Sequence, residues 1–282
     1  MSTVEPILEV SGLRKVYGSG PGAVEAIGSL DFSIGRGELV CIVGPSGAGK
    51  TTFLRCVSGL LAPTSGTIVL EGAPVSGPPP GMAVVLQEYG RSLYPWMTVA
   101  QNVELPLLEK RMTRARRAEL VTSSLVAVGL PHAGRQYPWQ LSGGMQQRVA
   151  IARAIAYEPH ILVMDEPFAA VDAQTRAELE DLVRGLWQRL GVTVLFVTHD
   201  IDESVYLGER VLVLSSAPAC ILAEIPVDLP AARDQLTTRA LPRFVELRTE
   251  VYERIQEAKH TSYSADAGGP ARPADAVPAV VG

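Results

Sequence analysis

The chain has 282 residues, 47% of them hydrophobic, and a formal net charge of −5. That is enough apolar material for one large or two modest packed domains, and the acidic balance gives no general electrostatic case for nucleic acid, whose partners show a basic face or stripe. No uninterrupted apolar run approaches the roughly 18 residues that span a bilayer, and Met1-Ser2-Thr3-Val4-Glu5-Pro6 lacks the basic and apolar regions of a secretory leader, so a soluble protein is expected whose membrane work needs a partner.

From Ile7 to Phe32 short apolar runs alternate with turns containing Gly18, Gly20 and Gly22, which predicts antiparallel strands. Asp31 to Val43 leads into Gly44-Pro45-Ser46-Gly47-Ala48-Gly49-Lys50-Thr51, which fits G-x-x-x-x-G-K-[ST] directly after the apolar run Leu39 to Val43. The chemistry accounts for each residue type. Glycines let the loop curl so that successive backbone N–H groups face one anion, Lys50 reaches the β- and γ-phosphates, and the Thr51 hydroxyl can ligate Mg2+. Thr52 to Ser58, closed by Gly59, predicts a helix whose N-terminal dipole also points at the phosphates.

Thr67 to Leu70 and Ala83 to Leu86 read as strands separated by a turn-rich stretch with Pro78-Pro79-Pro80. Between Thr98 and Glu158 the pattern turns helical, interrupted by Pro106 and Pro131, which predicts a helical subdomain inserted in an α/β core. Its basic group, Lys110, Arg111, Arg114, Arg116 and Arg117, reads as a solvated helix face rather than a contact site. Leu141 to Arg148 opens a helix with Ser142 as N-cap, and Ser142, Gly143 and Gly144 at its start make a second candidate anion site.

Ile161 to Met164 and Val192 to Val197 flank a helix from about Ala173 to Leu190, as a buried parallel sheet requires. Asp165 and Glu166 then fall at the carboxyl end of a core strand, the edge where open α/β sheets collect ligands. Asp165 is placed to hold the Mg2+ shell and Glu166 to orient and activate an attacking water; a solvated strand-end pair is the alternative. Val211 to Leu214 and Ile221 to Ile225 are further strands, and Ala240 to Ala258 carries helical spacing at Phe244, Leu247, Val251 and Ile255. From Thr261 onward Ala, Gly and Pro dominate without periodicity, so residues 261–282 are expected to be a disordered tail. Cys41, Cys56 and Cys220 have no Cys-x-x-Cys spacing and are expected to be buried, reduced thiols of a cytosolic protein.

In this order the phosphate loop at 44–51, Gln87 after a strand, Leu141 to Arg148, Ile161 to Glu166, Asp172 and His199 resemble the ATP-binding subunit of ABC transporters. The resemblance implies a P-loop NTPase core with a RecA-like parallel sheet, an antiparallel β subdomain and an inserted α-helical subdomain. The ABC-type domain would occupy 1–260, with helices at about 90–158 and a C-terminal helical extension at about 227–260. It further implies two ATP molecules sandwiched head to tail between two copies of the chain, or this chain and a homologous ATPase subunit. Ser142, Gly143 and Gly144 of one subunit would then touch the γ-phosphate held by Lys50 and the rest of the loop, with Thr52, in the other.

By the same resemblance Tyr17 matches the aromatic that stacks on adenine, although it reads equally as a packed strand residue. Gln87 corresponds to the residue that senses Mg2+ and couples to the membrane partner, and His199 to the one that contacts the γ-phosphate and steadies Glu166 and the water. Asp172 stands in Ala169-Ala170-Val171-Asp172, where the family more often shows Ser-Ala-Leu-Asp or Gly-Ala-Leu-Asp. Ser92 to Val99, Asp165 to Phe168, Val197 to Ser204 and Ile225 to Pro230 look like the importers of nitrate, sulfonates and taurine. Such a subunit sits on the cytoplasmic face of the membrane, working with transmembrane permease subunits and indirectly with a secreted binding protein. Pro95-Trp96 would lie close to the permease, or else form a buried aromatic anchor. The alternatives are a separate-subunit exporter or lipoprotein-release ATPase, toward which Asn102 to Leu107 points, and a soluble non-transport ABC ATPase. The latter usually carries two nucleotide domains or a long coiled coil, and neither is seen here.

Overall fold

Alternating apolar residues draw β1 (Pro6–Tyr17) and β2 (Val24–Gly35) into a long antiparallel pair, with Leu8 opposite Ile34 and Leu13 opposite Leu30. The computed structural model describes residues 5–87 and 92–266, with side chains through 258. β4 (Ser65–Leu70) lies antiparallel to the other side of β1, and the short β5 (Ala73–Pro74) pairs with β4.

The parallel part is built from β3 (Leu39–Val43), β6 (Met82–Val85), β7 (Ile161–Asp165) and β8 (Thr193–Val197), to which β9 (Arg210–Leu214) adds. β3, β7 and β8 are buried at every position, as parallel strands covered on both faces must be. β3 runs between β8 and β9, and β7 between β8 and β6. β10 (Ala219–Pro226) joins the two parts, antiparallel to β9 and parallel to β2, with Ala219 opposite Ile27. Among the described residues the result is one sheet in the order β5-β4-β1-β2-β10-β9-β3-β8-β7-β6. The antiparallel region is thus an extension of the core sheet.

Period-two alternation sends Val40 and Ile42 into one apolar layer, with Phe53 and Leu54 of α1 (Lys50–Val57), and Leu39, Cys41 and Val43 into the other. The second layer also takes Val103 of α2 (Val99–Glu104), Leu125 of α3 (Arg114–Ala127), Ile151 of α4 (Gly143–Ala156) and Leu186 of α5 (Ala173–Leu190). Thr98, Thr113, Ser142 and Asp172 cap these four helices by accepting a backbone N–H, each worth about 1 kcal/mol. α6 (Ile201–Leu207) follows β8, and α7 (Pro242–Asp266) closes the described chain against the same layer through Phe244, Leu247 and Val251.

Two expectations change. Helix α7 continues to Asp266, into the stretch expected to be tail, because the sequence meets no Gly or Pro before Gly268; residues 267–282 lie outside the described residues. Cys220 is exposed while Cys41 and Cys56 are buried, since the alternation of β10 turns Ala219 inward and its neighbour outward. In the basic group, Arg116 pairs with Glu119 and Glu158, and Arg117 with Glu104, so among the described residues two of its five cations are ion-paired within the chain.

Candidate active site

The loop after β3 turns through Gly47 and Gly49 at φ +80° and +79°, conformations that a side chain would strain. A Cβ at Gly49 would also lie 2.7 Å from the Ala26 carbonyl oxygen. The curl brings Lys50 to the first position of α1, buried, with Nζ donating to the carbonyls of Gly44 at 2.9 Å and Pro45 at 3.1 Å. Burial holds its ammonium below the ordinary lysine range, with Glu166 and then Asp165 opposing that trend.

β7 delivers the two acids differently. Asp165, paired with Val197 in the sheet, is 7% exposed, and burial, reinforced by neighbouring Glu166, pushes its carboxyl up to about 6. Glu166 leaves the strand at φ +41°, in the left-handed region, with its N–H donating to the Val197 carbonyl at 2.8 Å. A non-glycine residue held there is strained and points to a site whose geometry has been selected over ease of folding. Its carboxylate stands 2.9 Å from His199 Nδ1, 3.5 Å from Gln87 Nε2 and 3.9 Å from Lys50 Nζ. Three other chain segments expected from sequence to serve the same reaction therefore converge on the Glu166 carboxylate.

Ser46 to Thr52, Glu166 and His199, with Val24, Ala26 and Ala217, line an open groove of about 540 Å3. Tyr17 stands at the end of β1, 40% exposed, its hydroxyl 3.2 Å from Thr52 Oγ1 and the Lys15 ammonium 5.4 Å from its ring centre. It is part-exposed at the strand end rather than enclosed in the sheet, beside the loop residue Thr52. Asp165, Thr51 and Gln87 suit a hard cation: a buried acid with a raised carboxyl gains from one, and hydroxyl and amide oxygens can complete its shell. Among the described residues no group of three or more His, Cys, Asp or Glu could hold a metal, so side-chain acids by themselves do not make up a full shell, a pattern that suits Mg2+ with its usual waters and phosphates.

Ser142 caps α4, its Oγ accepting the Met145 N–H at 3.3 Å. Ser142, Gly143 and Gly144 do not line the groove of Lys50, so one chain does not bring its two anion sites together. Asp172 caps α5 through the Thr175 N–H at 3.0 Å and hydroxyl at 2.8 Å. Trp96 is 69% exposed and tilted against Tyr94, with ring centres 5.2 Å apart, which removes the buried-anchor reading.

Sequence reading assigned no role to the groups around His199. The Thr198 hydroxyl donates to Glu203 Oε2 at 2.6 Å and accepts the Asp200 N–H at 2.9 Å. Arg176 Nη1 donates to Asp200 Oδ2 at 3.0 Å, and its Nε lies 3.5 Å from Glu203 Oε1. The available signal was Asp200-x-x-Glu203, a helix-start pattern, and Asp200 Oδ1 does accept the Glu203 N–H.

The sequence profile described as ABC transporter matches residues 27–169. The nitrate import ATP-binding protein NrtD of Synechocystis is 42% identical over 86% of this chain and 93% of its own. The nitrate transport protein NasD of Klebsiella oxytoca is 37% identical over 90% and 98%. Among solved structures, a dimeric ATP-binding cassette in a post-hydrolysis state with ADP and Pi superposes with a TM-score of 0.69 at 32% identity, over 78% of this chain and 98% of that one. Cassette cbiO1 of Clostridium perfringens, part of the ABC transporter complex cbiONQ, gives 0.74 at 25% identity over 92% and 99%. No helix among the described residues is long and apolar enough to cross a membrane.

Proposed function

Because this chain belongs to the ABC transporter family, as an ATP-hydrolysing subunit, we propose that it drives uptake of nitrate or a related small solute by closing as a dimer around two MgATP on the cytoplasmic face of a separate permease. The convergence of Lys50, Gln87 and His199 on Glu166 carries this reading, and the likeness to nitrate-import subunits supports the solute class.

The phosphate chain would lie along the backbone N–H groups of residues 46–51, where the α1 dipole adds to their attraction. Lys50 exchanges its two carbonyl acceptors for phosphate oxygens, a small displacement of a side chain already aimed at the loop centre. Tyr17 supplies a face for the base. Thr51, Gln87 and Asp165 would hold a Mg2+ ion, which would supply neutralisation of the phosphate charge. Glu166 takes the proton of the attacking water, and His199, 2.9 Å from its carboxylate, fixes its direction and donates toward the γ-phosphate. Ser142, Gly143 and Gly144 of the second subunit supply the remaining donors, which accounts for their absence from this chain's own groove. Exposed Trp96 and Tyr94 lie on the surface offered to the permease.

Glu166→Gln tests the assignment, because it keeps the shape and the hydrogen bond to His199 but cannot take a proton. ATP affinity is expected to persist while turnover falls about 100-fold or more, with the dimer trapped; ordinary turnover by the variant would sink the reading.

A further inference from the structure

We propose that Thr198, clamped by Glu203 and Arg176, is a positioning residue that sets the direction of His199 and ties it to the N-terminus of α5. The inference rests on the reading of His199 given above.

The His199 side chain is 58% exposed, so packing does not fix its ring. Beyond its 2.9 Å contact with Glu166, its direction depends on the backbone on either side, and both sides are held. Thr198 donates its N–H to the Ile42 carbonyl at 3.1 Å, at the end of the strand that feeds the phosphate loop. Its hydroxyl bridges the residue-200 N–H and the Glu203 carboxylate, spanning His199 with two bonds. Asp200 is held in turn by Arg176.

Capping α6 does not require this arrangement. The Asp200 carboxylate already receives the Glu203 N–H, which is the whole of a cap. The further bonds place Glu203 at 4% exposure, and a carboxylate so buried is unfavourable unless it is paired. The Thr198 hydroxyl bonds enclose His199 between residues 198 and 203, which is the geometry an orienting role requires. Arg176 lies one turn into α5, and its N–H donates to the Asp172 carbonyl at 2.9 Å. The N-cap of α5 at Asp172 is therefore linked to His199 through Arg176, Asp200 and Thr198, a route separate from the direct contact of His199 with Glu166.

The test is steady-state ATPase of the full chain carrying Thr198→Val, Thr198→Ser or Arg176→Lys, each alone and combined with His199→Ala. Thr198→Val keeps the volume and deletes both hydroxyl bonds. It is expected to lower kcat about tenfold with KM for ATP within about twofold, and Thr198→Ser to restore kcat. With His199→Ala present, Thr198→Val should cause no further loss, since it acts through the missing ring. Arg176→Lys, at the outer end of the clamp, is expected to lower kcat about threefold with the same dependence on His199, so the test survives if Thr198→Val does not fold. Unchanged kcat in Thr198→Val, failure of Thr198→Ser to restore it, or losses that multiply with His199→Ala would overturn the proposal. Full activity in His199→Ala alone would instead overturn the role given to the histidine.

Discussion

Gly144 has no conformational need to be glycine beyond the space it leaves. A Cβ built there meets Thr175 Cγ2 at 2.4 Å, whereas carbon atoms settle about 3.5–4.0 Å apart. Thr175 cannot turn away freely, because its hydroxyl donates to Asp172 Oδ2 at 2.8 Å. In Gly144→Ala, either α4 and α5 separate or Thr175 rotates and gives up that bond. Overpacking of this kind costs about 1–3 kcal/mol, and the lost bond about 1 kcal/mol. Alanine's better helix propensity returns up to about 1 kcal/mol, leaving a net loss of about 1–2 kcal/mol. Urea unfolding without nucleotide measures this apart from any effect on phosphate contacts. Thr175→Ser removes only the offending methyl and keeps the hydroxyl. The double variant should therefore recover most of the lost stability, a non-additivity of about 1 kcal/mol. If Gly144→Ala is as stable as the parent, or Thr175→Ser brings no relief, the contact does not govern this helix crossing.

Two further outcomes follow from the same geometry. Burial holds the Glu203 carboxyl well above its ordinary 4.5, at about 7, so its stabilising contribution is present below pH 4.5 and is lost as pH rises through 7; Glu203→Gln should gain stability relative to the parent between pH 5 and pH 8, by about 1–3 kcal/mol in chemical denaturation, and a difference independent of pH would contradict this. Trp96→Ser should change stability by no more than about 0.5 kcal/mol and leave the isolated ATPase intact, while reducing activity in the reconstituted permease complex; loss of folding would mean the ring is packed after all.

The chemistry was most legible where it is local. Gly47, Gly49 and Lys50 are dictated by a backbone that must curl around an anion within eight residues, so Gly44 to Thr51 announces itself. Asp165 and Glu166 follow a buried apolar run, and strand polarity then places them at the sheet edge where Lys50 sits. Contacts between distant segments were not legible. Arg176 and Glu203 meet because α5 and α6 pack beside each other, and no periodicity relates those positions. The joining of the two sheet regions by β10 was equally hidden, since its parallel pairing with β2 depends on Ala219 and Ile27 at opposite ends of the chain. Tyr17 and Trp96 were undecided on sequence because an aromatic ring fits a core or a contact surface equally well; exposure removes the buried reading for Trp96 and leaves Tyr17 part-exposed beside Thr52.

The central claim is that each active site is shared between two chains, with Lys50 from one and Ser142 from the other. Lys50→Ala and Ser142→Arg should each abolish ATPase when pure. Mixed, they form dimers in which one site joins an intact Lys50 to an intact Ser142, and activity should reappear at up to about a quarter of the parent, the share set by random pairing in a two-fold dimer. A mixture as inactive as its components, or a pure Ser142→Arg chain that hydrolyses ATP at the parental rate, would contradict the account.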